Sequence, residues 1–513
     1  MTSIADFYAG RSIFVTGVTG FMGKVLLEKL LRSCPAIKCF YVLVRPKKGQ
    51  EPQARIEAIL DSKLFEKVKE MYPQIHEKVI PICGDILHEN LGMTENDTAR
   101  ILPEVSIVFH AAATVRFDEA LKLSVQMNVL GVQRLIAICR RMPKLEVLVH
   151  VSTAYANCDR KDIQEAVYPP PLHPNKLLDA VDWMPDEVVD ELTPKLIKER
   201  PNTYTYTKAM AEYLLQEEAK DLPVAIVRPS IVGASWREPV SGWVDNFNGP
   251  TGLFAAIGKG LLRIMIGDSN ATADIIPVDL AGNLMIAVAW YTALERPESM
   301  MVYNGTTGQI NRVTWGQIER ASFTCLMKNP LDGVVRVPYP RFTKNWVWYE
   351  LNVWFDHYLP SWLLDVYLRL CGRKAFLLRL QKRIRRSVAS LDFFTSNQWH
   401  FHNENTLMLH NKLSEQDREE FNFDPRTITW AKYIENYCLG TKVYALKEDI
   451  SKMSECRKAM QRLQRKNYVI NFFLALLLLK FLSRRVAIAK SLWQFLMSLA
   501  QSLLNKIPGF AKS

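Results

Sequence analysis

The chain has 513 residues and a formal net charge of +12, with 48% hydrophobic and 23% charged residues. That balance is ordinary for a globular protein, is long enough for two or three domains, and excludes extended disorder. The basic surplus suits acidic membranes or polyanionic ligands such as phosphorylated cofactors; without a zinc finger, RNA-binding signature or aromatic-basic repeat, no nucleic-acid partner is expected.

The opening MTSIADFYAGRS has no basic-then-apolar leader, so no signal peptide is expected. SIFVTG, residues 12–17, reads as a buried strand, and KVLLEKLLRSC as a helix from the spacing of Val25, Leu26, Leu27, Leu30 and Leu31. Between them GVTGFMG places Gly17, Gly20 and Gly23 in a strand-to-helix turn, where glycine lets a pyrophosphate approach the helix N-terminus. Thr16, Thr19, Phe21 and Met22 complete this candidate dinucleotide site.

The next strand, CFYVLVRPKKG, ends in Arg45, Lys47 and Lys48 where an NAD enzyme would carry an acid for the ribose hydroxyls. A guanidinium there favours a 2′-phosphate, so NADPH is the expected cofactor. VIPICGDI delivers Asp85 and Ile86 to the adenine side, and VSIVFHAAATVRF delivers Ala111, Ala112 and Ala113 to a close backbone approach. LEVLVHVSTAYAN is a buried strand with Ser152 and Thr153 at its C-terminal end, where open α/β sheets bind ligands.

In PNTYTYTKAMAEY two tyrosines precede one lysine. On a helix Tyr204 shares a face with Lys208 and Tyr206 does not. An ammonium beside a phenol favours phenolate, so Lys208 is expected to lower the Tyr204 pKa. GWVDNFNGPTGLFAAIGKGLLR, residues 242–263, reads either as the mouth of a ligand pocket, with Lys259 and Arg263 near ligand phosphates, or as a plain surface loop and helix. Beyond about residue 350 the aromatic- and arginine-rich sequence predicts helices that pack with their arginines exposed. His400 and His402, taken as helical, would diverge, and no metal site is expected. The 9 cysteines are scattered without a CxxC, as in a reduced, cytosol-facing protein.

The segment 451–467 reads as a basic linker, and 468–483 as a membrane-inserted helix flanked by Arg462, Arg465, Arg484 and Arg485. Its apolar run from Tyr468 to Leu482, fifteen residues broken by Asn471 and Lys480, reaches about 22 Å, short of a ~30 Å hydrocarbon layer unless Lys480 snorkels. In 484–513 Lys490, Gln494, Ser498, Gln501 and Asn505 form one polar stripe on an apolar helix.

TGVTGFMGKVLLEKLLRSCP, VFHAAATVRFDE, HVSTAYANC, PNTYTYTKAMAE, VAIVRPSIVGASWREPVSGWVDNFNGPTG and WAKYIENYCLGTK together resemble the alcohol-forming fatty acyl-CoA reductases of the extended short-chain dehydrogenase/reductase superfamily. The resemblance implies an α/β fold: a doubly wound, parallel-sheet Rossmann domain over residues 1–350, then a mainly helical C-terminal domain over 351–450 and a membrane-anchoring tail. It implies Thr153 as the substrate-polarising hydroxyl with Ser152 as its neighbour, Tyr204 as proton donor and Lys208 as its partner. Asn128 would prop the lysine, and Arg228, Pro229 and Ser230 would close over the nicotinamide. The activity implied is NADPH-dependent reduction of long-chain acyl-CoA to alcohol for ether lipids or waxes. The implied site is the peroxisomal membrane, tail-anchored with the enzyme facing the cytosol; the short anchor is equally compatible with the endoplasmic reticulum. Oligomeric state is left open, a homo-oligomer included. The rival readings are a membrane-bound steroid or sterol dehydrogenase of the same fold and a non-catalytic NADP(H)-binding lipid sensor.

Overall fold

The short β-branched and aromatic runs are buried on both faces, which is the setting of a parallel sheet covered by helices. A computed structural model describes residues 2–47, 49–483, 491 and 493–499. Its strands in the first half of the chain are β1 (Ser12–Thr16), β2 (Cys39–Val44), β3 (Val79–Cys83), β4 (Val105–His110), β5 (Val147–Val151), β6 (Asp162–Ile163), β7 (Val224–Pro229) and β8 (Ile231–Gly233). They continue with β9 (Met265–Ile266), β10 (Ile275–Pro277), β11 (Met301–Gly305), β12 (Phe342–Thr343) and β13 (His400–Phe401).

Seven strands form one sheet in the order β11-β7-β5-β4-β1-β2-β3. Every pairing in it is parallel. Ile13 and Val15 of β1 join the core on one face, and Phe14 joins the core on the other. Pro81 is tolerated because β3 is an edge strand. Strand order reverses between β1 and β4, so the loops leaving these strands part and open a crevice at their carboxyl ends.

The Phe21–Ser33 helix buries the predicted Val25, Leu26, Leu27, Leu30 and Leu31. The Thr203–Glu218 helix starts at Asn202, whose side chain accepts from the Thr205 N–H. Residues past 350 are mainly helical, yet they are stitched into the body. β13 pairs with β6, while Tyr433 and Tyr437 share a core with Ala234, Val244 and Phe254.

Three expectations change. His400 and His402 are on and beside a strand, not a helix, and their rings are 4.7 Å apart. His402 Nε2 faces Asp162 at 2.7 Å and Nδ1 faces Glu404 at 3.0 Å, so the pair converges on an acid instead of diverging. The expected linker at 451–467 is helical: Met453–Ser483 is one continuous helix, because this stretch has no glycine or proline to stop it. Its apolar window is long enough to cross a bilayer and is 0% buried. Between 346 and 376, tryptophans are exposed as well as arginines. Of the polar stripe, Gln494 and Ser498 are described; Lys490, Gln501 and Asn505 lie outside the described residues.

Candidate active site

The turn after β1 is shaped by main-chain proximity. Gly17 has φ +79°, and a Cβ there would stand 2.6 Å from the main chain of Ala111 and Ala112. A Cβ on Gly23 would strike the Gly17 carbonyl. Gly20 caps the Phe21–Ser33 helix without a side-chain bond, which leaves the first-turn N–H groups to a ligand. This cradle fits the pyrophosphate of a dinucleotide.

The crevice holds a cavity of about 550 Å³. Gly17, Thr19, Gly20, Phe21, Met22, Gly23, Ala111 and Ala113 line one side of it. Thr16 and Ala112 stand behind this wall: Thr16 Oγ1 shares a 2.7 Å hydrogen bond with His110 Nδ1 and accepts from Ala112 N at 3.3 Å. Arg45 is exposed just beyond β2, Asp85 is half-buried, and Ile86 is buried against Gly131; none of these three lines the cavity. Lys48 lies outside the described residues.

Ser152, Thr153, Tyr204, Lys208, Pro229 and Ser230 reach the same cavity. The Lys208 ammonium donates to the Val151 carbonyl at 2.6 Å. Burial pulls its pKa down to about 8, against the opposing pull of Glu212. Beneath it His110 and His150 stack at 5.3 Å, and burial, reinforced by Lys208, keeps both imidazoles neutral. Tyr204 hydrogen-bonds Thr153 and stacks on Phe117 at 5.9 Å. Burial pushes the phenol up to about 12, and the Thr153 bond offsets only part of the rise. The expected lowering by Lys208 is therefore not met in the protein alone, where burial dominates and Thr153 is the group that opposes it. Tyr206 is fully buried in the opposite core with no partner for its hydroxyl.

Two residues stand in supporting positions. Asn128 accepts from Thr114 N at 2.9 Å and donates to Thr207 Oγ1 at 3.0 Å, joining the loop after β4 to the Tyr204 helix. Ser152 donates to Glu212, which holds Arg228 through bonds of 2.8 and 2.6 Å. Arg228 also donates to the Gln164 and Ala166 carbonyls and is 0% exposed. It lies within β7 and is not among the residues lining the cavity, so its expected place in a loop is corrected; Pro229, the last residue of β7, and Ser230 line the cavity.

The far wall was not visible in the sequence. Phe117, Tyr155, Trp315 and Phe394 come from four separate stretches, and the Tyr155 and Phe394 rings meet edge to face at 5.1 Å. No local pattern marks them, because only tertiary packing brings them together. The 242–263 segment does supply the mouth, through Asp245, Asn246 and Leu253. Lys24 bridges to Asp245 there at 2.6 Å. Lys259 and Arg263 are not free for CoA phosphates: Glu448 holds the first and Asp356 the second.

Two family models, both described as male sterility protein, match the chain: an NAD-binding one over residues 15–285 and a second over 356–448. Fatty acyl-CoA reductase 1 of Xenopus laevis is 48% identical and that of Homo sapiens 47% identical, each over 98% of both chains. Fatty acyl-CoA reductase 2 of Bos taurus is 45% identical over the same share. The crystal structure of the reductase (R) domain of a nonribosomal peptide synthetase from Mycobacterium tuberculosis has the same fold, with a TM-score of 0.56 at 17% identity over 85% of this chain and 94% of that one. With the nucleotide cradle, the threonine-tyrosine-lysine group and near-full-length identity in agreement, the chain belongs to the fatty acyl-CoA reductase family.

Proposed function

We propose that the protein reduces long-chain acyl-CoA thioesters to alcohols through an aldehyde, with NADPH as the donor. The observation that carries this reading is the meeting of Thr153, Tyr204 and Lys208 in one cavity with the Gly17–Gly23 turn. The preference for NADPH over NADH is supported by Arg45, exposed just past β2 where no acid stands to hold ribose hydroxyls.

The cofactor, when bound, supplies the hydride. As the thioester oxygen gains negative charge, the Thr153 and Tyr204 hydroxyls donate hydrogen bonds to it; losing one such donor typically costs ~10²–10³ in rate. Tyr204 then gives up its proton to that oxygen. A phenol held near 12 is fully protonated at neutral pH and so enters the step as the acid. The Lys208 ammonium, fixed on Val151, stabilises the phenolate left behind. Asn128 and Ser152 act as positioning residues, through Thr207 and Glu212 respectively. Cleavage of the carbon–sulfur bond, with the hydroxyl proton returning to the Tyr204 phenolate, releases CoA thiolate, which takes up a proton from water, and leaves the aldehyde. A second hydride and proton on the aldehyde give the alcohol.

The Met453–Ser483 helix anchors the enzyme to a membrane with its catalytic body in the cytosol. The peroxisome is the proposed membrane, the endoplasmic reticulum the alternative, and ether lipids or waxes the use of the alcohol. The test supplies purified protein with NADPH or NADH and a series of acyl-CoAs, free acids and steroids. Turnover of long thioesters with NADPH is expected. A steroid reduced while every thioester is ignored would overturn the reaction, and a preference for NADH would overturn the cofactor.

A further inference from the structure

The helices between Trp346 and Ala389 are partly inverted relative to the rest of the chain: beside the apolar Tyr349, Val353, Leu377 and Val388 they bury polar side chains, and they leave large apolar ones exposed. They comprise Trp346–Asn352, a π-helical turn Val353–Tyr358, then Leu359–Leu370 and Leu377–Ala389. Their inward side buries His357, Ser361, Asp365 and Gln381. Two of these hold the segment down, and a third ties its helices together. His357 Nε2 accepts from Arg263 N at 3.1 Å, and Gln381 donates to the Leu261 carbonyl at 2.9 Å. Asp365 caps the last helix by accepting from the N–H groups of Phe376, Leu377 and Leu378. The outward side carries Trp348, Trp354, Phe355, Trp362, Leu363 and Tyr367, all more than half exposed. Lone exposed apolar residues are ordinary, but a continuous row of this size marks a contact surface.

Charge says what it contacts. From residue 359 to 389 the sequence has eight lysines and arginines against one acid, the buried Asp365. Arg373, Lys374, Arg379, Lys382 and Arg383 are exposed. Tryptophan and tyrosine beside unpaired arginine and lysine match the boundary of an anionic bilayer, where rings enter the acyl edge and cations meet phosphates. Among the described residues one helix is also apolar enough to span a bilayer, which would set the body beside lipid.

We propose that the Trp346–Leu370 face is a second membrane contact, immersed in the boundary of an anionic bilayer independently of the C-terminal helix. A small apolar cleft supports this position. It shares Pro250, Leu253 and Trp315 with the main cavity and runs past Ile257 and Met265 to Arg263 and Arg341. Those arginines hold the inverted segment through Asp356 and Asn352. Given the acyl-CoA reading above, the contact sets the end of that cleft at the lipid surface, where an acyl chain can enter from the bilayer.

The test uses the full chain in vesicles of phosphatidylcholine and phosphatidylserine. Its two exposed cysteines, Cys83 and Cys371, are replaced by serine, and an environment-sensitive fluorophore is placed on Leu363→Cys or, as control, on Asp179→Cys of the Pro174–Trp183 helix. Lipids spin-labelled near the headgroup should quench the label at 363 by about half or more, as for a face seated ~5–10 Å into the interface, and leave the one at 179 untouched. Water-like emission at both positions overturns the proposal. So does photocrosslinking from position 363 to the chain's own residues 484–513, or to a second copy whose detergent-stable dimer is broken by Trp354→Glu with Trp362→Glu. The same double variant should lose turnover of a vesicle-borne long thioester and keep that of a short soluble one. Equal loss of both overturns the entry route, whereas absence of thioester turnover in the unaltered protein would instead defeat the reading of function.

Discussion

On the sheet side the cavity is walled by main chain and small residues: Gly17, Gly20, Ala111 and Ala113. On the opposite side it is walled by the rings of Phe117, Tyr155, Trp315 and Phe394, drawn from positions almost 280 residues apart. The first wall exists because a turn needs positive φ and two loops must nearly touch, constraints that a few adjacent residues satisfy. The second exists because distant aromatic rings fill one another's gaps, a constraint spread over the whole fold. The sheet wall is suited to one cofactor, while the aromatic wall can vary with the substrate.

Substitutions can break this contrast. The largest effect should come where the walls meet: Tyr204→Phe should lower kcat by ~10²–10⁴ while NADPH fluorescence titration stays unchanged. Equal loss in Tyr206→Phe would refute the assignment, since that phenol is sealed in the far core. On the sheet wall, Gly17→Ala forces a Cβ onto the main chain of Ala111 at positive φ, an overpacking of ~1–3 kcal/mol that should weaken NADPH binding by roughly tenfold or more. On the aromatic wall, Phe394→Ala should leave NADPH binding alone and lower kcat/KM for long thioesters by ~10-fold, steeper for longer chains. Loss of cofactor binding in that variant would show that the two walls are not separable.

A smaller effect should appear in stability against pH. Lys208 has a folded pKa of about 8 against an ordinary 10.5, so across that window the unfolded chain holds the extra proton. Stability should therefore rise as pH climbs from about 8 to 10.5 and be lost again on the way down. Lys208→Met should flatten this component in thermal unfolding followed in detergent. The smallest change should be Tyr206→Phe, within ~0.5 kcal/mol, since no bond to its hydroxyl is lost.

What the sequence disclosed follows the same division. The parallel sheet, the glycine turn and the choice of Tyr204 over Tyr206 rest on local spacing, and the structure places those residues as the spacing implies. Arg228 was misplaced because the loop and the strand end adjoin, and only the buried partner Glu212 decides which way the side chain turns. Lys259 and Arg263 read as free cations because Glu448 and Asp356 lie 189 and 93 residues further along. His400 and His402 were assigned helical geometry because a two-residue strand gives no periodicity to read; its partner, β6, is far away in the chain. The aromatic wall left no local trace at all.

The pairing of β13 with β6 has a consequence for exchanging parts between relatives. Trp399, just before that pairing, and Phe401, within it, pack against Tyr155, which lines the cavity. Transplanting the C-terminal half alone would set a foreign strand against the native 162–163 segment and tilt this ring. Chimaeras meant to carry chain-length selectivity from one reductase to another should move 155–168 and 392–403 as a single cassette.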